Sequence, residues 1–193
     1  MTSTGKAAND ETARTGMAGT VSTMTTVATT RMLEIRTTRY GEMETVQISE
    51  DAVLAFPEGV PGFERHRRFA LIEDTKLAPF CWLQSLHDPL VGFLVIEPGL
   101  LVADYEFDIA DPDVELLGLD DPSEARVLSI LVVPENVRAM TANLQAPLIV
   151  NPRKRIAKQV ILTDERFPLR YPVFGGTSNA GAVEPGPGRR RAC

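Results

Sequence analysis

The residues able to do chemistry in this chain are few, and their spacing restricts what that chemistry is. Two histidines, His66 and His87, stand 21 residues apart. Neither has a Cys, His or carboxylate at the spacing of a zinc site, apart from Asp88 beside His87. Adjacent residues on a strand or turn point apart, so His87-Asp88 reads as a turn and not as a ligand pair. Of the two cysteines, Cys81 sits between Phe80 and Trp82 in an apolar run, and Cys193 follows a Gly/Pro/Arg-rich stretch. A nucleophilic thiol needs an electropositive, partly exposed setting, so Cys81 reads as inert. Two such cysteines make no disulfide framework, and a reducing cytosol suits both. Phe56-Pro57-Glu58-Gly59-Val60-Pro61-Gly62-Phe63 carries two glycines, but its two prolines remove N–H donors that a phosphate cradle would use. The reading is a binding protein: no enzyme, no metal and no cofactor.

Charge says what could be bound. The net charge of the whole chain is −6, yet residues 32–172 hold 14 Lys and Arg against 23 Asp and Glu. From Leu77 through Ala125 there is no Lys or Arg, while Glu97–Glu124 contains ten acids. A surface this acidic repels a phosphate backbone, which counts against nucleic acid as a direct partner and favours a basic protein. Within the run, Asp104-Tyr105-Glu106-Phe107-Asp108 alternates carboxylates with rings. On a strand this puts Tyr105 and Phe107 on one face and three acids on the other. Two roles fit: a solvated face that discourages accidental strand pairing, or an anionic surface for a basic partner. The basic group Arg153-Lys154-Arg155 with Lys158 reads as a solvated turn; direct RNA binding by a β-barrel is the competing functional reading.

The elements that must position these residues are mostly short strands. Met32–Arg39, Glu42–Ile48, Arg68–Glu73, Phe80–Leu86, Gly92–Glu97, Val127–Val133, Ala146–Val150 and Ile156–Leu162 are runs of strand length bounded by Pro, Gly, Asn or Asp. His87-Asp88-Pro89 and Asn151-Pro152-Arg153-Lys154 read as hairpin connections. Helical signals are brief. Asp111-Pro112 offers an N-cap and an N1 proline with Gly118 as a stop, and Asp121-Pro122-Ser123-Glu124 repeats the device with Glu124 at the capping-box position. Pro57 and Pro61 fix φ while Gly59 and Gly62 permit positive φ, so the chain turns tightly twice between Phe56 and Phe63. That loop can tuck both rings into the core, present a stiff docking edge, or do both.

The expected fold is mainly β: a small antiparallel β-barrel-like single domain over residues 32–172, with one or two short helical turns. Residues 1–31, rich in Thr, Ala, Gly and Ser, read as a disordered extension or an over-called start, and 173–193 as a flexible tail. No run approaches the roughly 18–20 apolar residues of a membrane span, and the location expected is the cytoplasm. Core positions include Trp82.

Four ordered blocks resemble one family. They are Phe56–Phe63 continued to Glu64; Phe80-Cys81-Trp82-Leu83-Gln84-Ser85 with Asp88-Pro89; Asp104-Tyr105-Glu106; and Met140-Thr141-Ala142-Asn143-Leu144 with Ala146-Pro147 through Asn151 and Gln159. Together they resemble the flagellar assembly factor FliW family across about residues 32–172. The resemblance implies a β-barrel-like protein of the bacterial cytoplasm that binds flagellin in a chaperone-like way. It implies alternate binding of the translational regulator CsrA, which would then no longer repress flagellin synthesis. No direct nucleic-acid or membrane partner is implied. The partner-binding candidates are Pro57, Glu58, Gly59, Pro61, Gly62, Phe63, Asp104, Tyr105, Glu106, Asp108, Met140 and Asn143.

Overall fold

Extended backbone dominates the protein, as the β-branched and aromatic runs require. The structure is a computed structural model that describes residues 30–39 and 41–175 and the backbone of 190–192. Residues 1–29, Tyr40, 176–189 and Cys193, on which the expectations of a disordered extension and a flexible tail largely fall, lie outside the described residues. In chain order the strands are β1 (Met32–Thr37), β2 (Glu44–Ser49), β3 (Val53–Ala55), β4 (Arg68–Ile72), β5 (Cys81–Ser85), β6 (Gly92–Ile96) and β7 (Phe107–Ile109). Then follow α1 (Asp111–Leu117), β8 (Arg126–Val132), β9 (Thr141–Ala142), β10 (Leu148–Asn151), β11 (Ile156–Gln159), β12 (Tyr171–Pro172) and β13 (Arg190–Ala192).

Seven of these strands close into a barrel in the order β3-β4-β5-β6-β8-β10-β11. The strand that closes it is β10, which pairs antiparallel with β11 on one side and with β8 on the other. Neighbours are antiparallel around the ring except β11 and β3, which run parallel through Ile156↔Ala55. The all-antiparallel expectation therefore fails at that one joint. Closure removes the unpaired edges that an open sheet would expose. Outside the ring, β9 extends β8 and carries β12, and β1–β2 form a separate hairpin.

Barrel strands read as continuous apolar runs because both of their faces are covered. Leu54, Phe56, Phe69, Leu83, Val95, Leu128, Leu148, Val150 and Ala157 fill one core cluster inside the ring. The alternate residues face outward into two further clusters. Ile96, Val127, Leu131 and Ile149 meet Tyr105, Phe107, Ile109, Val114 and Leu117 from β7 and α1. On the other side Val53, Ala70, Ile72 and Trp82 pack beneath the β1–β2 hairpin. A buried amide stitches the β5–β6 turn. Gln84, fully buried, accepts from Trp82 Nε1–H at 2.9 Å, and its own NH2 lies within reach of the Ser85, Asp88, Pro89 and Val91 carbonyls. Two amide hydrogens shared among these carbonyls leave neither donor of Gln84 unpaired.

The turn signals hold with two corrections. Asp88 Oδ1 accepts from Leu90 N–H, and Asn151 Oδ1 accepts from Arg153 and Lys154 N–H, as short polar turn residues do. Gly118 closes α1 in the left-handed region at φ 61°. However, α1 is capped by Ala110 without a side-chain bond, so Asp111 lies inside the first turn and is not the cap. Asp121 does cap its short 3-10 turn through Ser123 N–H, but Glu124 turns away to Arg153 and forms no capping box. The sheet continues past the end of β11 as bonds from Val160 N–H to Pro147 O and from Leu162 N–H to Gln145 O.

Trp82 is half-buried, and its indole lies where a Gly92 Cβ would sit, 2.5 Å from the nearest ring atom. Trp82→Ala should therefore empty the space beneath the hairpin and destabilise the protein by ~3 kcal/mol. Gly92→Ala should destabilise it by pushing the same ring outward. Urea unfolding midpoints check both; an unchanged midpoint for Trp82→Ala would remove the indole from the core.

Candidate functional site

Two surfaces emerge from the candidate residues, one built by the Pro/Gly loop and one by the acidic strand. The loop starts inside. Phe56 is fully buried with its ring edge-on to Phe69 at 5.0 Å. Gly59 N–H then bonds Phe56 O at 2.9 Å and Phe63 N–H bonds Val60 O at 2.7 Å, giving the two expected turns. Gly59 and Gly62 both adopt positive φ, 74° and 84°. Glu64 Oε1 accepts from Gly62 N–H at 2.7 Å, and such backbone donors hold its carboxyl below the ordinary value. Pro57, Glu58, Pro61, Gly62 and Phe63 are exposed, whereas Gly59 is buried against Glu64.

Phe63 departs from the tucked-in reading. It is 36 % exposed and leans edge-on against Phe93 at 5.1 Å and His66 at 5.8 Å. The fold brings His66 and His87 together, ring centroids 5.3 Å apart. Ser85 Oγ accepts from the His87 and Asp88 N–H groups, which leaves its own proton for His66 Nδ1 at 2.8 Å. The histidines thus serve as supports for an aromatic ledge. Among the described residues no group of three or more His, Cys, Asp or Glu is placed to hold a metal ion.

The acidic segment keeps its alternation, but only Phe107–Ile109 of it is a strand; Asp104 lies in a turn, with Glu106 N–H bonded to Asp104 O at 2.9 Å. Tyr105, Phe107 and Ile109 are buried while Asp104, Glu106 and Asp108 are exposed. Tyr105 donates its hydroxyl to Leu144 O at 2.5 Å and packs on Phe167 at 4.4 Å and Phe107 at 5.4 Å. Burial pushes this phenol well above its ordinary pKa, so it stays a neutral donor. Tyr105 and Met140 face the core, and Asn143 Oδ1 accepts from Ala146 N–H within its own turn. Tyr105 and Met140 therefore belong to the core beneath the surface, and Asn143 to a turn of its own.

Lys158 ties the Pro/Gly loop to α1. Its ammonium lies 2.8 Å from Asp113 Oδ1 on α1 and 2.9 Å from Glu58 Oε2 on the loop. These carboxylates hold its pKa above the ordinary lysine value. The rest of the basic group is also engaged internally: Arg153 pairs with Glu124, Lys154 donates to Gly118 O, and Arg155 pairs with Asp51. These pairs weigh against the RNA reading, since cations engaged by their own carboxylates and carbonyls have less to offer a phosphate backbone.

One centre had no signal in the sequence. Arg126 pairs with Glu73 and, at 2.9 Å, with Glu97, and lies beside Cys81 Sγ. It borders an open groove of about 610 Å3 whose walls include Glu97, Leu100, Tyr105, Glu106 and Glu124. Burial pushes the Cys81 thiol up, against the pull of Arg126, consistent with an unreactive side chain.

Comparison with known proteins gives a consistent result. A family model described as FliW protein matches residues 34–173. The flagellar assembly factor FliW of Caldicellulosiruptor saccharolyticus is 39% identical over 140 residues, 72% of this chain and 90% of that protein. That of Bdellovibrio bacteriovorus is 39% identical over 140 residues, 72% of this chain and 78% of its own length. The crystal structure of a flagellar assembly factor FliW superposes with a TM-score of 0.67 at 34% identity, covering 75% of this chain and 99% of that one.

The two loop glycines make a graded test. A Cβ on Gly59 would lie 2.6 Å from Glu64 Cα, whereas one on Gly62 would meet nothing within 4 Å. Gly62→Ala should cost about 1 kcal/mol for its positive φ alone. Gly59→Ala should cost clearly more, because the Glu64 backbone must move as well. Thermal melting of both variants checks the order; equal losses would contradict the close approach.

Proposed function

The chain belongs to the FliW family of flagellar assembly factors, and from that membership we propose that it is a non-enzymatic cytoplasmic binding protein that alternates between flagellin and CsrA. Bound to CsrA, it relieves repression of flagellin synthesis; free flagellin, held in a chaperone-like way, draws it off again. The observation that carries this reading for the chain itself is the acidic strand. Three solvent-facing carboxylates, Asp104, Glu106 and Asp108, stand on a backbone whose buried rings cannot swing away. A fixed anionic face favours a basic RNA-binding protein as partner and speeds its encounter. The exposed ledge at Phe63, on a loop held by two prolines and two turns, supplies an apolar surface that loses little entropy on docking. Both features suit binding and neither supplies a nucleophile with a base.

Asp104→Lys, Glu106→Lys and Asp108→Lys together should slow association with CsrA, with each exposed charge pair contributing about 0.2–1 kcal/mol. Raising the salt should shrink the deficit, and flagellin binding should suffer less. Association rates against ionic strength, after circular dichroism confirms folding, check this. A folded variant that binds CsrA at the wild-type rate in low salt would show the face to be merely solvated.

A further inference from the structure

The acidic strand has an open side. Among the described residues β7 pairs with no strand of the barrel, and its strand partner is β13. The two run antiparallel with Arg190 opposite Ile109, Arg191 opposite Asp108 and Ala192 opposite Phe107. β13 also lies alongside the Pro122–Glu124 turn. The segment in that place is Arg190-Arg191-Ala192, and the strand it meets belongs to a run from Leu77 to Ala125 without a single Lys or Arg. Residues 190–192 also stand outside the stretch matched by the family model, which stops at 173.

We propose that β7 is a strand-addition site for extended, arginine-rich protein segments, and that residues 190–192 of this same chain occupy it in cis until such a segment displaces them. Three observations converge on this. Backbone pairing supplies affinity without regard to sequence, as strand addition at a sheet edge does. The register sets Arg191 opposite Asp108, the exposed acid at the centre of β7, and a basic residue type across an antiparallel pair from an acidic one suits the pairing. The direction is also right. A segment running antiparallel past Phe107 heads toward Glu106 and the groove walled by Glu97, Glu106 and Glu124, which offers room and charge for further basic residues. Buried Phe107 and Ile109 hold the edge in place, so the receiving strand is preformed. A tethered occupant competes at high effective concentration, so an incoming segment must either bind tightly or be present in excess. Occupancy by the tail stands independently of the flagellar reading; its use as a brake on CsrA binding rests on that reading.

The test uses the full chain without any partner first. Hydrogen exchange of the Phe107–Ile109 amides should be roughly ten-fold faster when Arg189→Glu, Arg190→Glu and Arg191→Glu are combined, because acids placed beside an acidic strand disfavour the pairing. Exchange in β5 should stay unchanged, as a control on folding. Asp108→Lys should speed exchange likewise, and adding Arg191→Asp should restore protection, which only this register explains. A synthetic peptide of residues 186–192, followed by fluorescence anisotropy, should bind the triple variant several-fold more tightly than wild type. Equal exchange in wild type and the triple variant, or equal peptide affinity for both, overturns the proposal. If exchange and peptide behave as expected while CsrA binds both proteins alike, the strand-addition site stands and the acidic-face reading of CsrA binding falls.

Discussion

Strand β8 has to serve three neighbours, and that demand organises the molecule. One side of it pairs with β6 through Ile130 and Ser129. Its other side is divided: Arg126, Val127 and Leu128 pair with β10, which closes the barrel, while Leu131 and Val132 pair with β9. Without the β8–β10 pairing the sheet would have two long apolar edges, and the cluster around Leu83, Leu128 and Leu148 would open to water. Arg126 stands at the start of this strand, where backbone closure ends, and its pairs with Glu73 and Glu97 tie the neighbouring segments there.

Closure leaves every barrel strand with an outer face that is also apolar, and the surrounding segments exist to cover it. The β1–β2 hairpin covers one side and the β7–α1 stretch the other. The acidic strand is therefore a lid of the outer core whose rings look inward and whose carboxylates look outward. A binding face built this way is rigid because it shares its backbone with the core, so charge can be displayed at fixed positions. The loop from Phe56 to Glu64 uses the same economy, anchoring on Phe56 and displaying Phe63.

Electrostatic self-engagement sharpens the contrast between the two charge types. The cations of the β10–β11 turn and of Lys158 are drawn onto Glu124, Asp51, Asp113 and Glu58, linking turn, loop and helix. The acids of Asp104–Asp108 belong to a sequence run that contains no Lys or Arg.

Much of this was readable in the chain itself, wherever the cause is local. The turns at Gly59 and Gly62, the stop at Gly118 and the Asp121 cap follow from backbone sterics and hydrogen bonds within a few residues. The period-2 alternation of Asp104–Asp108 sorted buried rings from exposed acids because only one face of that strand is apolar. The same logic failed in the barrel. In Arg126–Val132 and Cys81–Ser85 both faces are covered, so no alternation marks which side chains point into the ring. Three-residue β3 and two-residue β9 and β12 are too short to carry a pattern at all. The parallel joint of β11 to β3, the exposure of Phe63, the meeting of His66 with His87 and the partners of Lys158 were decided by tertiary structure alone. Each is a contact between segments distant in sequence, and which segments meet is set by how the ring closes, a choice made by the packing of the whole chain.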